Sequence, residues 1–188
     1  LNASQPLTFK WKVAVRPYLE EMDLLNKLMQ RLPNSSRLRL DANGGWDRPT
    51  AAMWVNQLVN VQRLEWLEQP LPAEDIEGLR DLGNQLPVAL DESLVWDNSL
   101  RESWPGWQVR RPALEGDPRK LLAEFEEGIS QRMISTAFET GIGRRWVHHM
   151  AALQQEGSTP TAPGLAMEWF PKGSLFSTDP NLVWNAAG

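Results

Sequence analysis

The sequence contains no cysteine, only two histidines and no long apolar run. Without cysteine it can form no disulfide framework, no thiolate nucleophile and no cysteine-bound zinc or iron–sulfur site. No apolar segment approaches the roughly 20 residues of a membrane span, and the first residues lack the apolar stretch of a signal peptide. We therefore predict a cytoplasmic protein with no membrane partner.

Basic residues are also scarce, with 19 Lys and Arg against 24 Asp and Glu and a net charge of −5. Nucleic acids attract proteins through basic surface, so we expect no nucleic-acid partner. Two of the few lysines, Lys10 and Lys12, lie two residues apart near the start of the chain. The length of 188 residues is enough for one domain with its own core.

Short apolar segments alternate with amphipathic ones along the chain. The strand-like segments are residues 7–15, 38–40, 64–67, 88–90, 107–109 and 133–134. The helix-like segments are residues 17–32, 48–62, 73–85, 117–130 and 143–155. Repeated strand–helix units predict parallel strands, because a helix must return the chain between them. Neither a G-x-G-x-x-G motif nor a P-loop occurs, which favours a β/α barrel over a nucleotide-binding open sheet.

Polar residues follow nearly every predicted strand. They are Lys10 and Lys12, Asp41, Glu68, Asp91, Arg110 and Arg111, and Ser135 and Thr136. In a barrel the carboxyl ends of the strands converge on one mouth, so we expect these side chains to meet there. Three carboxylates in one pocket repel one another, and oxygen ligands without His or Cys favour Mg²⁺, with Mn²⁺ as an alternative.

The two lysines suggest acid–base chemistry beside that cation. Lys10 and the metal should lower the pKa of Lys12 and let it act as a base near neutral pH. Two structural alternatives stay open at this point. Asp41 and Asp91 could each cap a helix, and the lysines could be solvated charges on an edge strand.

Six ordered motifs carry a family resemblance. The segments FKWKV, LRLDANGGW, WLEQPLP, VALDES, RRPALEGDP and MISTAFETGIG resemble the muconate-lactonising-enzyme subgroup of the enolase superfamily. The resemblance implies an α/β fold, a (β/α)7β TIM-like barrel that is incomplete here. Residues 1–165 would form part of the barrel domain, without its first βα unit and N-terminal capping domain. Residues 166–188 would be a C-terminal tail that packs on the barrel. The segment 158–188 is rich in Pro, Gly and Trp and barely periodic, and we predict that it forms a last strand followed by a surface-covering tail.

The resemblance also assigns roles to individual residues. The Mg²⁺ ligands would be Asp41, Glu68 and Asp91. Lys12 would be the catalytic acid and base, with Arg111 as a second catalytic residue. The substrate-binding residues would be Lys10, Asn43, Ser135 and Thr136.

The implied reaction is a lyase reaction on a small carboxylate substrate. It is the syn dehydration of 2-succinyl-6-hydroxy-2,4-cyclohexadiene-1-carboxylate to 2-succinylbenzoate, a step of menaquinone and phylloquinone biosynthesis. The alternatives are racemisation of N-succinylamino acids, epimerisation of dipeptides, or a fragment without catalysis. Arg111 stands where the subgroup usually has lysine. Arginine is a poor base, and racemisation needs a base on each face of the substrate, so Arg111 favours dehydration.

Overall fold

A computed structural model of the chain describes residues 7–166 and 170–188. The fold is α/β, with six strands in which hydrogen-bonded neighbours follow chain order. The chain divides into two compact units, Leu1–Gln108 and Val109–Gly188, which are described separately. Within residues 7–166 and 170–188, no helix combines the length and the apolar content that a membrane span needs.

The strands confirm the predicted parallel sheet. They are β1 (Thr8–Lys12), β2 (Arg37–Asp41), β3 (Leu64–Glu68), β4 (Val88–Leu90), β5 (Trp107–Arg110) and β6 (Arg132–Ile134). The ladders from β1 through β5 are all parallel. The observed β1 is shorter than the predicted segment 7–15, because the chain turns at Ala14, where φ is 65°. The strand count of a (β/α)7β barrel stays a prediction.

The first unit contains five helices among its described residues. They are α1 (Tyr18–Arg31), α2 (Arg48–Leu58), α3 (Ile76–Gly83), α4 (Glu92–Trp96) and α5 (Leu100–Ser103). Asp47 and Asp75 cap α2 and α3, since their side chains accept hydrogen bonds from the first-turn amides of Thr50 and Gly78. The sequence predicted α1 to α3, whereas α4 and α5 are too short to show helical periodicity.

Side chains on the strands of the first unit alternate between two faces. One face, which includes Leu40 and Leu67, packs with Trp54 and Leu79 of the helices in a buried apolar core. Because successive side chains point to opposite faces, Asp41 and its strand neighbours in register lie on the other side of the sheet. The helices therefore fix the strands from one side and leave the polar strand ends on the other.

The second unit contains four helices among its described residues, with a core of its own. They are α6 (Pro112–Glu115), α7 (Arg119–Glu126), α8 (Gly141–Glu156) and α9 (Pro180–Ala187), and a 3₁₀ turn covers Ser174–Phe176. Leu121, Phe125, Ile134, Val147 and Met150 lie in that core.

The described residues of the segment 158–188, which was predicted to begin with a last strand, form no named strand. Gly164 forms an isolated parallel bridge to Ser135, and the 3₁₀ turn and α9 follow it. Residues 167–169 of the predicted tail 166–188 lie outside the described residues. The rest of the segment contacts α8, where Arg144 Nη2 donates to Phe176 O at 2.9 Å. A Cβ on Gly141 would overlap Ser177 O, so the segment approaches α8 more closely than an alanine would allow.

Candidate active site

Three polar side chains stand side by side at the ends of the first three strands. Lys12 is in register with Asp41, and Asp41 is in register with Glu68. Lys12 Nζ lies 2.9 Å from Asp41 Oδ2. Lys10 Nζ, one pleat earlier, lies 2.8 Å from the same Oδ2 and 2.7 Å from Glu68 Oε1. The structure therefore brings together both lysines and two of the three predicted metal ligands, and Asp91 directly follows β4.

The charges of this cluster differ in their exposure to solvent. The side chains of Asp41 and Glu68 are 1% and 0% exposed, whereas those of Lys10 and Lys12 are 32% and 60% exposed. The anions thus lie at the floor of the site and the ammonium groups reach over them. Both lysines contact carboxylates, so the alternative of freely solvated edge-strand charges does not describe them.

The cluster shifts the pKa values of its two buried carboxyl groups in opposite directions. Burial raises the pKa of Glu68 to about 7; Lys10 opposes this shift, while the charges of Asp41 and Asp91 add to it. Burial also acts against the charge of Asp41, but Lys10 and Lys12 outweigh it and lower the pKa of that carboxyl. Burial lowers the pKa of Lys10, yet Glu68 and Asp41 more than compensate and raise it. The charges of Asp41 and Asp91 thus destabilise the Glu68 anion, and a nearby cation would stabilise it.

The donor set fits a hard divalent cation in kind. Asp41, Glu68 and Asp91 offer carboxylate oxygens, which are the ligands that Mg²⁺ prefers. Asp41 and Glu68 already bind one shared cation, the Lys10 ammonium group. As they stand, the described residues include no group of three or more Asp, Glu, His or Cys side chains arranged to hold a metal ion. Binding a metal between Asp41 and Glu68 would thus require Lys10 to withdraw.

Helix capping does not account for the two aspartates. Asp47 rather than Asp41 caps α2. Asp91 occupies the position before α4, but within the described residues it makes no side-chain capping bond there. The capping alternative is therefore wrong for Asp41 and leaves the carboxylate of Asp91 without a capping role.

The side chain of Asn43 forms hydrogen bonds with both Lys12 and Glu92. Its Oδ1 accepts a short hydrogen bond from Lys12 Nζ, and its Nδ2 donates to Glu92 Oε1 at 3.0 Å. Its backbone N–H donates to Asp41 Oδ1 at 3.1 Å. The backbone of Asn43 has φ 46°, a left-handed conformation that asparagine tolerates better than most residues. The structure therefore places Asn43 beside Lys12, whereas its role in substrate binding stays a prediction.

Two buried residues near the cluster escaped the sequence analysis. Gln69, directly after Glu68, is 0% exposed and bonds the backbone around Asp91. Glu21 of α1 is 1% exposed and accepts from the backbone N–H groups of residues 14, 15 and 16 at 3.0 to 3.1 Å. The only sequence signal for Gln69 is a second polar residue directly after Glu68, where the strand ends. For Glu21 there is none, because the exposed Glu20 precedes it in the same helical turn.

An aromatic layer supports Glu68 from below. Trp66 Nε1 donates to Glu68 Oε2 at 3.3 Å, and the Arg39 guanidinium lies 3.9 Å from the centre of the Trp66 ring. Arg39 also pairs with Glu65 at 2.7 Å. The Trp66 ring packs on Trp107 with centroids 4.4 Å apart. These contacts hold the second oxygen of Glu68 in place while the first faces Lys10.

The predicted site residues of the second unit form a group of their own. Arg111 Nη1 donates to Thr136 O at 2.8 Å, and the Arg111 N–H donates to Glu115 Oε1 at 3.0 Å. Ser135 Oγ donates to Gly164 O at 3.2 Å. Thr136 and Ser135 are buried. The structure thus brings Arg111 next to Thr136, and their roles toward a substrate stay predictions.

The side chain of Arg110 is buried and forms ion pairs with two glutamates. It is 2% exposed and forms ion pairs with Glu115 at 2.5 Å and with Glu124 at 2.9 Å. Burial lowers its pKa, but the two glutamates outweigh burial and raise it. Arg132 joins Glu124 at 2.5 Å, so two arginines and two glutamates balance in charge.

Comparison with known proteins was made by sequence and by structure. Residues 4–103 match the family described as enolase C-terminal domain-like. An o-succinylbenzoate synthase from Thermosynechococcus vestitus is 39% identical over 153 residues, which are 76% of this chain and 48% of that protein. A chloromuconate cycloisomerase from Cupriavidus necator is 33% identical over 50% of this chain and 26% of its own length.

A solved structure gives the same result. The o-succinylbenzoate synthase from Thermosynechococcus elongatus, complexed with magnesium in its active site, superimposes with a TM-score of 0.80 at 34% identity. The match covers 95% of this chain and 59% of that one. This chain therefore spans about half the length of the synthases that it resembles.

Proposed function

The chain belongs to the enolase C-terminal domain-like family, and from this premise we propose that it carries the lysine and carboxylate centre of an o-succinylbenzoate synthase. The proposed reaction is the Mg²⁺-dependent dehydration of 2-succinyl-6-hydroxy-2,4-cyclohexadiene-1-carboxylate to 2-succinylbenzoate. The observation that carries it is the row formed by Lys12, Asp41 and Glu68 at three adjacent strand ends. Identity of 39% to a named synthase supports this choice of reaction.

In the proposed reaction Lys12 holds and returns one proton. Neutral Lys12 Nζ takes the proton from the carbon that bears the ring carboxylate. The ring then loses its hydroxyl group as the carbon–oxygen bond breaks, and the proton on Lys12 Nζ joins the departing hydroxide to form water. Asn43 Oδ1, which accepts from Lys12 Nζ, orients the amine for both steps.

Asp41, Glu68 and Asp91 would hold the magnesium ion. When bound, Mg²⁺ would stabilise the negative charge that develops on the substrate carboxylate. The support is the raised pKa of Glu68, about 7, since burial and the neighbouring acids Asp41 and Asp91 destabilise its bare anion. Lys10, freed from the two carboxylates, would be available to the substrate carboxylate.

Arg111 supports dehydration rather than racemisation or epimerisation. An arginine is almost permanently protonated, so it serves as a fixed cation but not as the second base that a racemase needs. Its contact with Thr136 O gives it a defined position within the second unit. If purified protein racemises N-succinylamino acids as fast as it dehydrates the cyclohexadiene, this assignment is wrong. The biosynthetic pathway and a cytoplasmic location remain predictions from the sequence.

The test of the proposed function is a pair of lysine variants. Conversion of the cyclohexadiene to 2-succinylbenzoate is followed by ultraviolet absorbance with Mg²⁺ or with a chelator. We expect Lys12→Ala to lower the rate by about 10²- to 10⁴-fold, because it removes the acid and base. Lys27→Ala is the matched control, since Lys27 is exposed and pairs only with Asp23 among the described acids. Equal rates in the two variants, or no Mg²⁺-dependent conversion by the unmodified chain, would contradict the proposal.

A further inference from the structure

We propose that Gln69 is a positioning residue that fixes the backbone of Asp91 relative to Glu68 and thereby sets the geometry of the metal site. The inference rests on the proposed function, because it concerns the ligands of the proposed Mg²⁺. Gln69 would touch neither metal nor substrate. It would act by holding two ligand-bearing strand ends at a fixed distance.

The side chain of Gln69 uses its whole hydrogen-bonding capacity, and most of it on the next strand end. Gln69 Oε1 accepts from the N–H groups of Asp91 at 3.1 Å and Ser93 at 3.2 Å. Gln69 Nε2 donates to Ser93 Oγ at 2.8 Å and to Leu71 O at 3.0 Å. The side chain is fully buried, so water does not compete for these bonds. Three of these four hydrogen bonds join the end of β3 to the end of β4, and the fourth, to Leu71 O, lies within the turn after β3.

The backbone of Gln69 extends the same connection. Its N–H donates to Ala89 O in β4 at 2.8 Å, and its carbonyl accepts from Gly44 N in the turn after β2 at 2.7 Å. Its φ of 37° places it in the left-handed region, which is uncommon for a residue with a long side chain. A residue keeps such a strained conformation only where surrounding contacts hold it there, and the hydrogen bonds of Gln69 are contacts of this kind.

The bond to Asp91 matters because of where that residue lies. Asp91 lies between β4 and α4, at the N-cap position, where the carboxylate of an aspartate ordinarily accepts a hydrogen bond from a first-turn amide of the helix. Here Gln69 Oε1 satisfies two backbone N–H groups at the start of the helix in its place. The start of α4 therefore has an acceptor other than the carboxylate of Asp91.

A carboxamide suits this position better than other groups of its size. It carries two donors and two acceptor lone pairs, and the four observed bonds use all of them. A glutamate would keep the acceptors for Asp91 and Ser93 but would lose both donors. A methionine would keep the approximate shape and lose every bond.

The first experiment measures Mg²⁺ affinity by titration calorimetry at a temperature where circular dichroism shows each variant folded. We expect Gln69→Met to weaken Mg²⁺ binding about 10- to 100-fold, the range found for outer-shell partners of metal ligands. Leu79→Ala is the control for lost stability alone, because Leu79 is buried in the apolar core of the same unit. It should unfold more easily and bind Mg²⁺ as before. Unchanged Mg²⁺ affinity in Gln69→Met would overturn the inference.

Gln69→Glu provides a second test in case the methionine variant does not fold. It keeps an acceptor for the N–H groups of Asp91 and Ser93 and adds a negative charge, so Mg²⁺ affinity should be no weaker than in the unmodified chain. Weaker binding would contradict a role that acts through those two bonds.

A third measurement separates failure of this inference from failure of the proposed function. If the unmodified chain binds no Mg²⁺, the proposed function is wrong, yet hydrogen exchange in the metal-free protein still tests the connection. The amides of Asp91 and Ser93 should exchange faster in Gln69→Met, which removes their acceptor, than in Gln69→Glu, which keeps it, or in Leu79→Ala at matched stability. Equal exchange in the three variants would overturn the inference by itself.

Discussion

Lys10 and Lys12 differ in how many carboxylates their ammonium groups contact. Lys10 bridges Asp41 and Glu68, whereas Lys12 contacts Asp41 and the amide of Asn43. Lys10 therefore acts as the shared counter-ion of two buried acids, and Lys12 is the more exposed amine at the edge of the cluster. At the scale of single residues, the two lysines of one motif have separable tasks.

Replacement of Lys10 should make the chain more dependent on Mg²⁺. Lys10→Met leaves Asp41 and Glu68 buried without their common cation, which should cost on the order of 2 kcal/mol of unfolding free energy in chelator. Excess Mg²⁺ should then raise the melting temperature of the variant more than that of the unmodified chain. Lys27→Met, on the exposed face of α1, is the control. Equal Mg²⁺-induced shifts in all three proteins would show that Lys10 and the metal do not compete.

Glu21 should contribute to stability far more than its neighbour Glu20. Glu21→Ala leaves three backbone N–H groups at residues 14–16 without their acceptor, which should cost about 2–4 kcal/mol. Glu20→Ala removes an exposed side chain whose ion pair with Arg16 spans 3.8 Å, and should change stability by less than about 1 kcal/mol. Urea unfolding of both variants measures the difference, and similar midpoints would refute the assigned role of Glu21.

At the scale of elements, parallel strands explain which parts of the site could be predicted. Lys12, Asp41 and Glu68 each end a strand, so the rule that parallel strand ends meet was enough to group them. Gln69 and Glu21 escaped because their partners are backbone amides whose positions depend on turns with left-handed residues. Neither composition nor periodicity reports such turns.

Some secondary-structure elements could not be predicted because they are short or depend on distant partners. Helices α4, α5 and α6 have four or five residues, too few to display a 3.6-residue period. The segment 158–188 was predicted to begin with a strand, but within residues 158–166 and 170–188 the β pairing consists of the bridge from Gly164 to Ser135. Whether a short apolar segment pairs over a longer stretch depends on distant partners that local patterns do not encode.

The contact between α8 and the C-terminal segment gives a prediction whose sign opposes helix propensity. Alanine is a better helix former than glycine, by up to about 1 kcal/mol in a helix interior. Its Cβ at position 141 would nevertheless overlap Ser177 O, so we expect Gly141→Ala to displace the segment and speed proteolysis after Gly173. Gly143→Ala, in the same helix, would place its Cβ 2.9 Å from Cβ and Cγ of Glu139, so Glu139 must shift but the C-terminal segment need not. Equal proteolysis of these two variants would count against the contact.

At the scale of the whole molecule, the two units have separate apolar cores. All three proposed metal ligands, with both lysines, belong to residues 1–108. The second unit contains Arg111 and its balanced arginine–glutamate network but none of those ligands. A ligand that binds only the folded form of one region stabilises that region by mass action.

Magnesium should therefore protect the first unit in preference to the second. At a free Mg²⁺ concentration about 100 times the dissociation constant, the gain should be about 2.7 kcal/mol for amides of β2 and β3. Hydrogen exchange resolved along the chain measures it, and the amides of α7 and α8 serve as an internal reference. An equal gain in both units would show that they unfold together rather than separately.

The left-handed conformation of Asn43 has a consequence for how this sequence can change under selection. Glycine would adopt φ 46° more readily, so Asn43→Gly should be neutral or favourable in a screen for stability. The same change would delete the amide that joins Lys12 to Glu92. Laboratory evolution for thermal resistance alone should enrich glycine at this position, whereas evolution for turnover should purge it. Sequencing the two evolved populations would reveal which demand keeps the asparagine.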